Sequence, residues 1–302
     1  MVDIDIAVIG SLNRDLTVRT PRLPQPGETV LGTRHYSNGG GKGANQTVAA
    51  ARLGSSVALI GRVGDDDHGV ALIDDMTSEG IDTSGIGIDA ELPTGVAVIT
   101  VDDDAENTIV VSPGANMGLT PDHVTNHRDL ISGAKVTLAQ LEVPIETVTA
   151  AADTATGLVC LNPAPAQPLP AELLSRVDVL VPNRSELATM TGTPLPQTTV
   201  DVRQAASLLD FSGAVVVTLG ADGALVIDGD SATHVESPHV DAVDPTGAGD
   251  AFCGALAHSL SQGQTILEAA RWAVVAGAIA VTRHGAQASM PTPAEIDALA
   301  KA

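Results

Sequence analysis

The run Asp244-Pro245-Thr246-Gly247-Ala248-Gly249-Asp250 leads directly into small apolar residues, Ala251 to Leu260, that read as a helix. Gly247, Ala248 and Gly249 leave backbone N–H groups unobstructed at that helix start, where amides and the helix dipole stabilise negative charge. The chemistry this suits is phosphoryl transfer, in which charge develops on the transferred group. Asp250 sits on the first turn, within reach of anything held there, and its carboxylate can take a proton from an attacking hydroxyl. The same spacing also fits an aspartate that caps a helix after a glycine turn, so the run alone leaves both readings open.

A second glycine-rich run, Asn38-Gly39-Gly40-Gly41-Lys42-Gly43-Ala44-Asn45, also opens a helix. Gly41-Lys42 is followed by Gly43 instead of Ser or Thr, which excludes a Walker A phosphate loop. The glycines let backbone approach a polar ligand closely, and Lys42 and Asn45 supply donors for sugar hydroxyls or a phosphate. A flexible loop with a solvated lysine is the alternative, weakened by the scarcity of lysines in this acidic chain. Asn183-Arg184-Ser185-Glu186 has the spacing of a helix cap and its N3 partner. Thr218-Leu219-Gly220-Ala221-Asp222-Gly223 reads as a turn ahead of a hairpin strand, Ala224 to Ile227.

Elements must hold these segments in place. Apolar runs of strand length recur at Asp5 to Ser11, Val57 to Ile60, Val136 to Leu141, Leu158 to Leu161, Val177 to Val181 and Ala214 to Leu219. Helical patterns lie between them, over Ala44 to Leu53, His68 to Glu79, Ile145 to Thr156 and Val202 to Leu209. The alternation predicts an α/β fold with a central, mostly parallel sheet and helices on both faces. Ligands in such folds sit beyond the carboxyl ends of the strands. Two segments break the rhythm. Asp15 to Tyr36 carries Thr17-Val18-Arg19 and Thr29-Val30-Leu31 among prolines, and Thr94 to Val111 reads as a hairpin turning at Asp102-Asp103-Asp104. Segments of about 14–37 and 94–112 are expected to pair into a small protruding β-sheet, used as a lid over the ligand edge or as a dimer contact. The whole chain, residues 1–302, is read as one α/β domain with this appendage.

The 37 acidic residues against 15 basic ones give a net charge of −22, a field that repels nucleic acid and anionic membranes and speaks against both as partners. An anionic ligand then needs a local positive device: a lysine, a helix start or a metal ion. Aromatic residues are only 1%, so the core must be built from Ala, Val, Leu and Ile. No apolar run reaches the roughly 18 residues that span a bilayer, and Met1 to Asp5 is acidic where a secretory leader is basic. A soluble cytoplasmic protein is expected. Cys160 and Cys253 stand far apart in apolar surroundings, without metal-ligand spacing, and are read as core thiols.

Taken in order, from Val8-Ile9-Gly10-Ser11-Leu12-Asn13 to Ala280-Val281-Thr282-Arg283-His284-Gly285-Ala286-Gln287, these runs make the chain similar to the ribokinase family of carbohydrate kinases over nearly its whole length. The two glycine-rich runs carry the resemblance to the superfamily. Asn162-Pro163-Ala164-Pro165-Ala166 and the run beginning at Thr282 point to members that act on D-ribose. The resemblance implies transfer of the γ-phosphoryl group of MgATP to the 5-hydroxyl of D-ribose, with Asp250 as base. It implies sugar contacts from Asn13, Asp15, Gly41, Lys42, Asn45 and Glu142 beside Asp250. Asn183 and Glu186 would organise magnesium and phosphates through water, Thr218, Gly220 and Gly223 would meet the phosphates, and Gly247, Ala248 and Gly249 would form the anion hole. Helix 265–281 would line the adenine pocket, with Ala276 assigned to that contact. Asp244, Thr246, Ala280, Arg283, Gly285 and Ser289 match positions that hold a monovalent cation, K+, mostly through backbone oxygens. A homodimer through the small sheet is implied as well.

The nearest rival is the same chemistry on fructose, 2-deoxyribose, a nucleoside or a sugar phosphate. Scarce aromatic side chains argue against a nucleoside, whereas Arg14, Arg19 and Arg34 leave a sugar phosphate open. A non-catalytic sugar sensor would keep the fold, and the intact Asp250 run speaks against it. A redox dinucleotide fold is excluded because no Gly-x-Gly-x-x-Gly follows the first strand.

Overall fold

Strand β1 (Ile6–Ile9) is buried on both faces, with Ile6 and Val8 in one apolar layer and Ala7 and Ile9 in the other. Side chains alternate across a strand, so a run with no polar member suits only a sheet covered on both sides. The computed structural model of the chain describes residues 4–104 and 106–301. Met1 to Asp3, on which the leader expectation falls, lie outside the described residues, as do Ala105 and Ala302.

After β1 come β2 (Asn13–Arg19), β3 (Arg34–Gly40), α1 (Lys42–Arg52), β4 (Val57–Gly64), α2 (Asp67–Ser78), β5 (Ile86–Asp89), β6 (Gly95–Val101) and β7 (Asn107–Ser112). The middle of the chain forms α3 (Pro121–Asn126), α4 (Arg128–Ser132), β8 (Val136–Ala139), α5 (Ile145–Thr154), β9 (Leu158–Leu161), α6 (Ala171–Leu174) and β10 (Val179–Leu180). The remainder forms α7 (Arg184–Thr191), α8 (Thr199–Ala206), β11 (Ala214–Thr218), β12 (Ala224–Asp228), β13 (Ser231–Val235), α9 (Ala248–Ser261), α10 (Ile266–Ala280) and α11 (Pro293–Leu299).

Nine strands make the main sheet in the order β13-β12-β11-β10-β9-β8-β1-β4-β5. Pairing is parallel from β5 to β11, with Ile6 facing both Val57 and Val136, and turns antiparallel for β12 and β13. The layer holding Ile6 and Val8 packs on α1, α9 and α10, and the layer holding Ala7 and Ile9 on α3, α4 and α5. Gly254 lets α1 and α9 come close: a Cβ there would lie 2.5 Å from the Ala49 Cβ and 2.7 Å from Gln46 O. His258 of α9 stacks on Trp272 of α10 at a centroid distance of 5.6 Å. Cys160 and Cys253 are buried and unbridged, and burial pushes the Cys160 thiol up to about 12. Among the described residues no helix is long and apolar enough to cross a membrane.

The second sheet has the order β3-β2-β6-β7. Its β3 strand corrects the sequence expectation: Thr29-Val30-Leu31 is not a strand, and Leu31 is 86% exposed. The partner of β2 is Arg34–Gly40, running from Arg19 opposite Arg34 to Asn13 opposite Gly40. Its first five residues are exposed and mostly polar, so no apolar alternation marks it. The strand carries Gly39 and Gly40 straight into the start of α1.

Candidate active site

Both sheets deliver their functional residues to one place, the carboxyl ends of the main strands. Gly41 caps α1 with φ +88°, a conformation that favours glycine, and a Cβ there would press on Asn13 N and Ser11 O, each at 2.9 Å. Gly43 next to it lies against β1, where a Cβ would be 2.5 Å from Gly10 C and Ser11 N. The helix is thus seated on the end of β1, and its first turn points at α9. Asn45 Nδ2 donates to Asp250 Oδ2 at 2.9 Å, and Gln46 Nε2 donates to Asp250 Oδ1 at 3.0 Å.

Asp250 is not a cap. The N-cap of α9 is Gly247, with φ +77°, and the helix begins at Ala248, three residues before the expected start. Asp250 is buried on the first turn with both oxygens bound across to α1. Burial raises its pKa, against the pull of Lys42 and of the Asn45 and Gln46 amides, while Glu142 pushes it up further. At the helix start, Ala248 N–H donates to Pro245 O at 3.2 Å. The orphan donors of the first turn that point outward are then those of Gly249 and Asp250, and a Cβ on Gly249 would meet open space.

Four carboxylates and one ammonium share this region. Lys42 opens α1 and donates its backbone N–H to Glu142 Oε2 at 3.0 Å. Burial would depress the Lys42 ammonium, yet Asp250, Glu142 and Glu186 outweigh it and hold the pKa above the ordinary value. Glu142 Oε2 also accepts from Ser11 Oγ at 2.5 Å. Asp15, on β2, lies over Gly40, and burial together with Glu142 and Asp250 raises its pKa to about 6 despite Arg14. Asn13, at the start of β2, is buried and accepts from Asn116 Nδ2 at 2.7 Å, which leaves its own Nδ2 as donor.

Asn183 and Glu186 form a full capping box on α7. Glu186 is also close enough to Lys42 and Asp250 for its pKa to respond to both, although burial is the main cause of its rise. Thr218 ends β11 and bridges to Asn183. Beyond it lies a cavity of about 420 Å³ lined by Thr218, Gly220, Gly223, Ala248 and Gly249 on one side and by Val274, Gly277, Ala278 and Val281 of the α10 segment on the other. Ala276 is not brought to this cavity; it is fully buried in the core layer between α9 and α10. The helix turns neighbouring positions 100° apart, so Gly277 and Ala278 face the space instead.

The segments Asp244 to Thr246 and Ala280 to Ser289 do meet. Asp244 N–H donates to Val281 O at 3.0 Å, Asp244 Oδ2 accepts from Gly285 N at 2.9 Å, and Oδ1 accepts from Thr246 N at 2.9 Å. Burial would raise the Asp244 pKa, but these bonds hold it below its ordinary value. Arg283 pairs with Glu295 through its guanidinium, and Ser289 Oγ donates to Ala286 O at 2.8 Å. Ala286 packs on Gly247, where a Cβ would lie 2.9 Å from the Ala286 Cα.

Sequence reading missed Gln46, Gln140, Ser11 and Asn116. The signal was available in part, since Gln140 interrupts an apolar strand run and Gln46 sits on the buried side of a helix, where an unpaired amide is costly. Chemically, the arrangement suits passage of a phosphoryl group from a ligand in the cavity to a hydroxyl held near Asp250, and a shelf of acceptors and donors around that hydroxyl suits a polyol. This is the architecture of a carbohydrate kinase. The chain belongs to the pfkB family of carbohydrate kinases, whose sequence profile matches residues 3–293. It is 40% identical over 295 residues to a ribokinase of Haemophilus influenzae, covering 96% of each chain. It is 39% identical over 295 residues to a deoxyribokinase of Salmonella typhi, again covering 96% of each. An Arabidopsis thaliana ribokinase complexed with ribose and ATP superposes with a TM-score of 0.89 at 31% identity, covering 100% of both chains.

Proposed function

We propose that the chain transfers the γ-phosphoryl group of MgATP to the 5-hydroxyl of D-ribose, giving D-ribose 5-phosphate and ADP. The observation that carries this reading is Asp250: a buried carboxylate with each oxygen held by an amide, on the same helix turn as Gly249, which lines the cavity. Asp250 accepts the proton of the sugar hydroxyl as that oxygen attacks phosphorus. The amides of Gly249 and Asp250, with the α9 dipole behind them, receive the charge that develops on the transferred group. Asn13, Asp15, Asn45 and Glu142 hold the remaining hydroxyls, and Lys42 spans the two ligands. Thr218, Gly220 and Gly223 hold the phosphates of ATP, and the apolar side of the cavity takes the adenine. Glu186, through the oxygen not bound to Asn183, would help hold the Mg2+ that enters with ATP, and the ion would supply charge to neutralise phosphates that four nearby carboxylates would otherwise repel. The β2-β3-β6-β7 sheet acts as the lid that excludes water from the sugar.

A monovalent cation, K+, is assigned to the Asp244 and Ala280–Ser289 segments. Hard oxygen donors there, the Asp244 carboxylate and backbone carbonyls, suit an alkali ion, and a fixed 285–289 loop holds Ala286 against Gly247 and so sets the helix start. We also place a homodimer contact on the lid, where the outer strand β7 exposes Ile109, Val110 and Val111. Use of ATP as donor supports a cytoplasmic location.

A second reading, 2-deoxyribose as acceptor, is favoured by the Salmonella typhi likeness. Coupled ADP release with D-ribose, 2-deoxyribose and fructose, each in potassium, sodium and a bulky organic cation at matched ionic strength, tests both readings. The expected result is the highest kcat/KM for D-ribose, with potassium raising turnover more than ribose affinity. A higher kcat/KM for 2-deoxyribose would transfer the reading to that sugar, and equal turnover in all three cations would remove the ion site.

A further inference from the structure

Behind Asp250 runs a chain of neutral amides, of which the reading above uses only the Gln46 bond to the carboxylate. Val181 O can only accept, so Asn162 turns Nδ2 toward it at 2.8 Å and presents Oδ1 inward. That Oδ1 accepts from Gln46 Nε2 at 3.2 Å, while the same Nε2 reaches Asp250 Oδ1 at 3.0 Å. Gln46 Oε1 is left to accept from Gln140 Nε2 at 2.6 Å. One backbone carbonyl thus fixes the orientation of three side-chain amides in succession. Gln46 and Gln140 are wholly buried, so no water competes for these bonds.

We propose that Gln46 is a positioning residue for the phosphoryl transfer: through the Gln140–Gln46–Asn162 chain it fixes one oxygen of the Asp250 carboxylate while Asn45 fixes the other. The inference rests on Asp250 being the base. A carboxylate free to rotate about its last torsion presents the right lone pair to the hydroxyl only part of the time, and two donors from adjacent residues of α1 remove that freedom. The donors also favour the ionised form, which the base must hold before it can accept a proton. The titratable groups facing Asp250 are Lys42 from α1, Glu142 beyond β8, Glu186 from α7, Asp15 from β2 and Cys253 from its own helix. The amides do not titrate, so their bonds to the carboxylate persist across the pH range in which the enzyme works.

The test is the pH dependence of kcat, with ribose and MgATP saturating, for the unaltered chain, Gln46→Met and Gln140→Met. Loss of a hydrogen bond to a charged group should move the acid limb of Gln46→Met to higher pH and lower kcat at neutral pH about tenfold, with partial recovery at high pH. KM for ATP should stay the same. Gln140→Met, which touches neither substrate nor Asp250, should shift the limb in the same direction by less, because it only frees the Gln46 amide to turn. A folded Gln46→Met enzyme with an unmoved acid limb overturns the proposal whatever its rate; if that variant does not fold, the limb of Gln140→Met decides in the same way. Asp250→Asn keeps the two levels apart. Loss of about a hundredfold or more in turnover supports the base, so that an unmoved limb then sinks only the role of Gln46, whereas an Asp250→Asn enzyme with half the parental rate sinks the base itself.

Discussion

Asp15 shows how a residue proposed to hold the sugar works against the fold that holds it. Its pKa is raised from 3.8 to about 6 by burial and by the Glu142 and Asp250 carboxylates. The folded chain therefore keeps a proton that the unfolded chain has lost. The stability this gives is complete below about pH 4 and lost as pH rises through about 6. At neutral pH the buried charge opposes folding by about 2 kcal/mol, allowing for partial solvent screening. Asp15→Asn should accordingly raise Tm at pH 7.5 and leave it nearly unchanged at pH 4, while raising KM for ribose far more than KM for ATP. Thermal denaturation at the two pH values checks the first part, and an unchanged Tm at pH 7.5 would contradict it. At this scale the sequence is informative where a residue sits inside a local run, as Lys42, Asn45 and Asp250 do. It is mute about the partners of Gln46 and Asn116, which lie about two hundred and one hundred residues away in sequence, because hydrogen bonds between distant segments leave no local pattern.

Helices α1 and α9 are the two halves of the proposed catalytic geometry, and a single hydrogen atom keeps them in contact. Asn45 and Gln46 ride on one, Asp250 on the other, and Gly254 lies where they touch. Gly254→Ala would place a methyl against backbone and the Ala49 methyl, neither of which can rotate away. The expected cost is about 1 to 3 kcal/mol, read as a lower midpoint in urea, together with a fall in kcat as the amides draw back from the carboxylate. An enzyme of unaltered stability and kcat would show that the helix pair has slack. The same glycine shows why elements are only partly legible. Apolar runs announce β1, β8, β9 and β11, all buried in the parallel region. Strand β13 and the exposed β3 are made of residues whose side chains decide little, and only backbone pairing with β12 and β2 reveals them. β10, only two residues long, lies inside the apolar run Val177 to Val181 and pairs with β9 and β11 on either side.

Across the whole molecule, the alternation of strand and helix was enough to set the mostly parallel sheet, and the order of the glycine-rich runs was enough to identify the family. What pattern could not supply is which side chains meet between the two sheets, since β3 is exposed over its first five residues and buried only at Gly39 and Gly40. The lid contact proposed for a second copy belongs to this scale. Val110→Asp on β7 places a charge in the exposed apolar row and should leave a monomer at concentrations where the unaltered chain sediments as a dimer; a monomeric unaltered chain would end that proposal. The scarcity of large rings has a further consequence. The chain has one tyrosine and one tryptophan. Tyr36 lies on strand β3 of the small sheet, and Trp272 lies on α10 of the body, stacked on His258. Each emitter therefore reports on its own part of the molecule, and resonance transfer from the phenol to the indole reads the separation of the small sheet from the body, so that the proposed closure can be followed with a built-in optical ruler and no attached dye.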